Sequence, residues 1–248
     1  EAIRCYEHAI QVQPDYPEAF LNMSLACKSL GNSDLAAVHL QNALKLRPEY
    51  SEALLNLGII HQEAGQLSDA ATCFRRVLSE HPGNVPAQLN LSMTLDGLDQ
   101  LEEAENEARK AVTLTPDNPH ANAFLGALLI KSKSLAEAKF YSEKALALAP
   151  DFIPAQVNLA QVLLIENQLE DAAAHCESVL RAEPINCATL VCLGVIRTRQ
   201  RRPWEAIDVL ERALAANPED ASAEINLAIS ELLVGRFDPG WKHYDARW

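Results

Sequence analysis

No stretch of the chain approaches the ~18 consecutive apolar residues of a membrane-spanning helix, so no membrane span is indicated. A charged-then-apolar leader with a cleavage site is also missing from the start. Basic residues are scarce, 21 Lys and Arg against 34 Asp and Glu, and the net charge of −13 excludes the basic stripe of a general nucleic-acid binder. The acidic balance serves solubility. The six cysteines, Cys5, Cys27, Cys73, Cys176, Cys187 and Cys192, include no C-x-x-C pair and no metal-type Cys/His spacing. Most occupy apolar helical positions, where a thiol behaves as a small core residue, and a reduced, intracellular and cytoplasmic setting is expected. There is no Gly-rich phosphate loop, no H-E-x-x-H and no G-x-S-x-G. His39, His61, His81, His120, His175 and His243 are scattered along the chain, and the carboxylates fall on solvent-type helix faces. Catalysis by this segment is therefore not expected, and no cofactor or metal is called for.

What is present is a period. Proline recurs at 14, 48, 82, 116, 150, 184 and 218, always 34 residues apart. A fixed period of this length marks a helical repeat array, whose stacked units share one continuous core. With the proline numbered 32, complete copies span 17–50, 51–84, 85–118, 119–152, 153–186 and 187–220. A partial copy precedes them at 1–16 and a truncated one follows at 221–248, and the whole reads as a single solenoid. Both ends fall inside a helix without a polar capping element, which leads to the expectation that the chain is a piece of a longer protein.

Each copy reads as a helical hairpin. Position 8 is small throughout (Ser24, Gly58, Ser92, Gly126, Ala160, Gly194, Ala228), and position 20 is Ala2, Ala36, Ala70, Ala104, Ala138, Ala172, Ala206 and then Gly240. These let two antiparallel helices approach closely, while position 7 (Met23, otherwise Leu) and position 28 (Leu, Ile, Val, then Trp248) fill the space beside them. Gly31, Gly65, Asp99, Asn167 and Gly235 at position 15 suit a helix C-terminus, and the proline at 32 stops the second helix. The expected fold class is all-α.

This grammar, with small residues at 8, 20 and 27 and proline at 32, resembles the tetratricopeptide repeat family over the whole chain. The resemblance implies an α-solenoid, a right-handed superhelix of about seven helix pairs whose first helices line a concave groove. Position 24 follows the family's large residue at Tyr6, Leu40, Phe74 and Leu210 but is small at Ala108, Ser142 and Cys176, which predicts looser packing or altered curvature there.

Position 6 is the residue the grammar does not require. It reads Asn22, Asn56, Asn90, Phe124, Asn158, Cys192 and Asn226. Asparagine is a mediocre helix former, and position 6 is turned about 100° from core position 7, toward the expected groove. Two readings stand: a ladder of amides that holds the backbone of an extended peptide, or side chains that bond to the neighbouring repeat and fix the stacking. The ladder resembles that of O-linked N-acetylglucosamine transferases, which implies a protein partner in the groove. Position 9 is mostly apolar (Leu25, Ile59, Met93, Ala127, Val195, Ile229), read either as part of that groove or as packing between first helices. Position 5 lacks the Lys of carboxylate-clamping relatives. Arg199, in the cluster Arg197–Arg202, faces the groove or serves its helix end.

The tail, Gly235 to Trp248, stays in register but concentrates Phe237, Trp241, Tyr244 and Trp248. The surplus of rings predicts an interface with a partner or further domain. Its G-x-F-x-x-G-W-x-x-Y arrangement resembles the last repeat of bacterial proteins that continue into a glycosyltransferase domain. Three functions follow: a non-catalytic scaffold binding an extended polypeptide, the substrate-recruiting arm of a protein glycosyltransferase, or a scaffold that self-associates through uncapped ends.

Overall fold

The computed structural model describes residues 2–245. Among these, every regular element is an α-helix. Residues from α1 (Ala2–Val12) to Pro116 form one compact unit, with first helices α2 (Pro17–Ser29), α4 (Ser51–Glu63) and α6 (Val85–Gly97) and second helices α3 (Ser33–Leu46), α5 (Leu67–Glu80) and α7 (Leu101–Leu114). The other unit begins at Asp117. Its first helices are α8 (Pro119–Lys131), α10 (Ile153–Ile165), α12 (Cys187–Arg199) and α14 (Ala221–Leu233). Its second helices are α9 (Leu135–Leu148), α11 (Leu169–Ala182), α13 (Pro203–Ala216) and α15 (Phe237–Asp245). No helix among the described residues is long and apolar enough to cross a membrane.

The boundaries repeat because their chemistry repeats. Asn84, Asn118, Asn186 and Asp220 cap first helices by accepting backbone N–H groups at 2.9–3.2 Å. First helices end in one turn geometry seven times over: a residue at positive φ, then a backbone N–H donated back to the helix, as in Gln66 to His61 O (2.8 Å) and Ser134 to Leu129 O (2.8 Å). Gly31, Gly65 and Gly235 take the left-handed position without a steric cost. Asp99 and Asn167 take it as expected, and so do Lys133 (φ 63°) and Arg201 (φ 59°), which carry no sequence signal for it. Second helices α3, α5, α7, α9, α11 and α13 end two residues before the recurring proline. The residue between is extended, as at Arg47 (φ −136°) and Ala149 (φ −143°), because the proline ring disfavours helix before it.

The core lies between the two helices of each hairpin. Ala36, Ala70, Ala104, Ala138, Ala172 and Ala206 at position 20 have no exposed surface, nor do Ala43, Val77, Ala111, Ala145, Val179 and Ala213 at position 27. Position 8 is sized to position 24 of its own hairpin: a β-carbon on Gly194 would lie 2.5 Å from Leu210 Cγ, and one on Gly126 2.7 Å from Ser142 Oγ. The small position-24 residues Ala108, Ser142 and Cys176 are themselves closed to solvent. Successive hairpins are also tied through their turns, since Arg76 donates to Pro48 O (2.6 Å) and Arg212, at the equivalent position, to Pro184 O (3.1 Å).

Candidate functional site

The asparagines of position 6 divide into two kinds. Asn22 is exposed, while Asn56, Asn90 and Asn226 are partly exposed. In each of the last three, Nδ2 donates to the carbonyl four residues earlier in its own helix: Glu52 O at 2.8 Å, Pro86 O at 2.9 Å and Ser222 O at 2.7 Å. That bond fixes the amide on the helix surface and leaves its second hydrogen and Oδ1 for other partners.

Asn158 is of the other kind. It is buried, and its Nδ2 donates to Ala123 O of α8, in the preceding repeat, at 2.7 Å. The stacking arrangement therefore describes this residue, and it is closed to a ligand. The reason lies in its neighbours. A β-carbon on Gly126 would meet both Ser142 Oγ and Asn158 Nδ2, the latter at 3.3 Å, so a short residue at position 24 and a glycine at position 8 open the space that the amide fills.

Beside the exposed amides, Leu25 (41%), Met93 (48%) and Ile229 (39%) at position 9 keep much of their surface open. Phe124 is half-buried. Arg199 is exposed, yet its Nη1 donates to Leu164 O at the C-terminal end of α10 (3.0 Å), where a helix dipole favours a cation. Arg197 pairs with Glu177 and with Glu205 (3.3 Å), and Arg202 with Glu205 (2.6 Å), so two of the four arginines of the cluster are matched by carboxylates.

On the last hairpin, Phe237 (60%) and Trp241 (54%) are exposed, and Trp241 meets Tyr244 edge to face at 5.8 Å. Trp248 lies outside the described residues. Helix α15 is anchored from its other side by the buried Glu231, which pairs with His243 Nδ1 (2.7 Å) and Arg236 (3.5 Å).

Two of the cysteines lie close together in the fold. Cys176 of α11 is buried, and Cys192 of α12, at the position-6 site, packs against the same apolar cluster. The Cys192 thiol, together with burial, holds the Cys176 thiol protonated far above the ordinary thiol range. The Cys176 thiol in turn favours the Cys192 thiolate, against the opposing effect of burial. The register contained a signal: both residues depart from the family pattern, at positions 24 and 6 of adjacent hairpins.

A cleft of about 660 Å³ runs beside α7, lined by Gln88, Glu103, Glu107 and Lys110. Its charges are paired within the molecule, Lys110 to Glu107 (2.7 Å) and Glu103 to Arg75 (3.0 Å). Among the described residues no group of three or more His, Cys, Asp or Glu is arranged to hold a metal ion.

No curated protein matches the chain. Among solved structures, a tetratricopeptide repeat protein from Parabacteroides merdae superposes with a TM-score of 0.78 at 17% identity, covering 93% of this chain and 91% of that one. The APC/C hetero-tetramer Cut9–Hcn1 gives 0.79 at 17% identity, covering 99% of this chain but 48% of that one. YrrB, described as a tetratricopeptide repeat protein with an unusual peptide-binding site, gives 0.57 at 18% identity, with 74% and 95% covered. At these identities the likeness shows the fold. One tetratricopeptide repeat family model matches residues 63–128 and 129–186, and a second matches 28–85 and 193–238. With the same helix bounds, turn geometry and small-residue positions recurring every 34 residues, the chain belongs to the tetratricopeptide repeat family.

Proposed function

We propose that the first-helix face of the unit ending at Pro116 binds an extended polypeptide through the amides of Asn22, Asn56 and Asn90, and that Asn226 offers the same kind of contact by itself on the other unit. The observation that carries this reading is the pairing of self-anchored, accessible amides with half-open apolar side chains three residues on, at Met93 and Ile229. An amide already held by its own helix loses little conformational freedom on binding, and its remaining donor and acceptor match the two polar groups of a peptide unit. The apolar neighbours take up side-chain surface without demanding a particular sequence. The likeness to YrrB, described as having a peptide-binding site, supports the reading at the level of fold. The chain in this reading is a non-catalytic interaction scaffold.

The test is selection from a displayed random-peptide library, followed by calorimetric titration of a recovered peptide. Asn22, Asn56 and Asn90 changed together to Ala should weaken that peptide by about tenfold or more, at ~1.4 kcal/mol per decade, with the melting temperature nearly unchanged. Unaltered affinity in the triple variant rejects the amide role.

A second reading makes the array the substrate-recruiting arm of a larger protein glycosyltransferase. The exposed Phe237 and Trp241 on α15 favour it, because unpartnered aromatic surface suits a domain junction. A following segment that codes for a two-lobed α/β domain supports this reading, and a stop codon directly after Trp248 removes it.

A further inference from the structure

We propose that Cys176 and Cys192 form a dithiol oxidation site, in which Cys192 is the attacking thiol, Cys176 the resolving one, and the oxidant a hydroperoxide. The inference goes beyond peptide binding and does not depend on it. Three observations converge on it. The two residues sit on adjacent packed helices, α11 and α12, and share one apolar cluster. Each thiol acts on the ionisation of the other, which favours the protonated form at Cys176 and the thiolate at Cys192. Their accessibilities differ in the useful sense: Cys176 is 1% exposed, whereas Cys192 is only partly buried and lies on the first-helix face.

The roles follow from thiol chemistry. A thiolate is the nucleophile, and the thiol that a dissolved oxidant can reach is the one it meets first. Redox-responsive cysteines pair a reachable low-pKa thiol with a resolving neighbour. In the first step the Cys192 thiolate attacks the terminal peroxide oxygen. The O–O bond breaks, an S–O bond forms, and the departing alkoxide or hydroxide takes up a proton, leaving a sulfenic acid on Cys192. In the second step the Cys176 sulfur, having given up its proton, attacks the Cys192 sulfur. The S–O bond breaks, hydroxide leaves and is protonated to water, and the disulfide closes. Overall two thiols lose two electrons and two protons, and one peroxide is reduced to water or an alcohol plus water.

The product would tie the second helix of one hairpin to the first helix of the next, at a site where five of the seven hairpins carry an asparagine. Cys27 and Cys73 are also free cysteines, and each is buried.

The experiment treats the reduced chain with hydrogen peroxide, blocks residual thiols with an alkylating reagent and maps the products by peptide mass spectrometry. The expected result is a linked peptide pair containing Cys176 and Cys192, approaching about one disulfide per chain, as fixed neighbouring thiols favour internal closure over exchange between chains. In the Cys176→Ser variant a dimedone adduct should accumulate on Cys192, and in Cys192→Ser the adduct should be absent from Cys176. A wild-type chain whose oxidation is confined to Cys5 or Cys187, with Cys176 and Cys192 both alkylated after denaturation, overturns the proposal. Because that arm uses the unaltered chain, it holds even if a serine variant folds poorly.

Discussion

Gly58 lies so close beneath Phe74 that a β-carbon on it would sit 2.6 Å from the ring's Cε1, and the ring has no exposed surface into which it could retreat. The glycine is therefore required by packing, since its φ is ordinary for a helix. Gly58→Ala should cost about 1–3 kcal/mol, the usual range for overpacking. Gly194→Ala, against Leu210, should cost a similar amount. Gly83→Ala, with nothing within 4 Å of the added carbon, should stay within roughly 0.5 kcal/mol of the parent. Urea denaturation midpoints of the three variants distinguish the cases.

Asn158→Ala should lower stability by about 1–2 kcal/mol, because it removes a buried hydrogen bond to Ala123 O and vacates the space over Gly126. Asn56→Ala, Asn90→Ala and Asn226→Ala should each stay within about 0.5 kcal/mol, since alanine offsets a surface bond with better helix propensity. Thermal melts of the four single variants would show one outlier. Equal losses in all four would mean that the amides share one structural role.

These two residues mark how far the sequence could be read. Helix bounds were legible because proline at position 32 and small residues at 8 and 20 act through local sterics that do not depend on the neighbouring repeat. The asparagines were legible as a set, yet their fates differ. Whether position 6 tucks inward depends on the size of residues 16 and 32 places earlier, Ser142 and Gly126 in the case of Asn158. The same dependence concealed the Cys176–Cys192 contact. Lys133 and Arg201 were illegible for a different reason: the hydrogen bonds of the turn impose a left-handed conformation that neither side chain favours.

That conformation costs an L-residue roughly 1–2 kcal/mol, while the added freedom of glycine in the unfolded chain returns about 0.5–1 kcal/mol of it. Lys133→Gly and Arg201→Gly should therefore each stabilise their unit by about 0.5–1 kcal/mol. A rise in melting temperature checks the expectation, and a fall would show that the Lys133 or Arg201 side chain contributes more than its backbone costs.

The His175 imidazole is held neutral by burial, which pushes its pKa below the ordinary value against the opposing pull of Asp171. As pH falls through about 6.5, the unfolded chain takes up this proton before the folded chain does, so stability declines with falling pH until the folded ring is also protonated. His175→Asn should lose less stability than the parent between about pH 7.5 and about pH 5.5, as read from chemical denaturation at each pH. An identical loss in both proteins would place the pH dependence elsewhere.

The steric accommodation of Gly58 to Phe74, Gly126 to Ser142 and Gly194 to Leu210 is completed inside single hairpins, whereas the Asn158–Ala123 and Arg76–Pro48 bonds cross between them. A gene that grows or shrinks by whole 34-residue steps thus carries Gly58, Gly126 and Gly194 together with the position-24 side chains they make room for. Only the seams have to be matched afresh. The hairpin is the smallest piece of this chain that can be copied, moved or deleted without breaking its own fit.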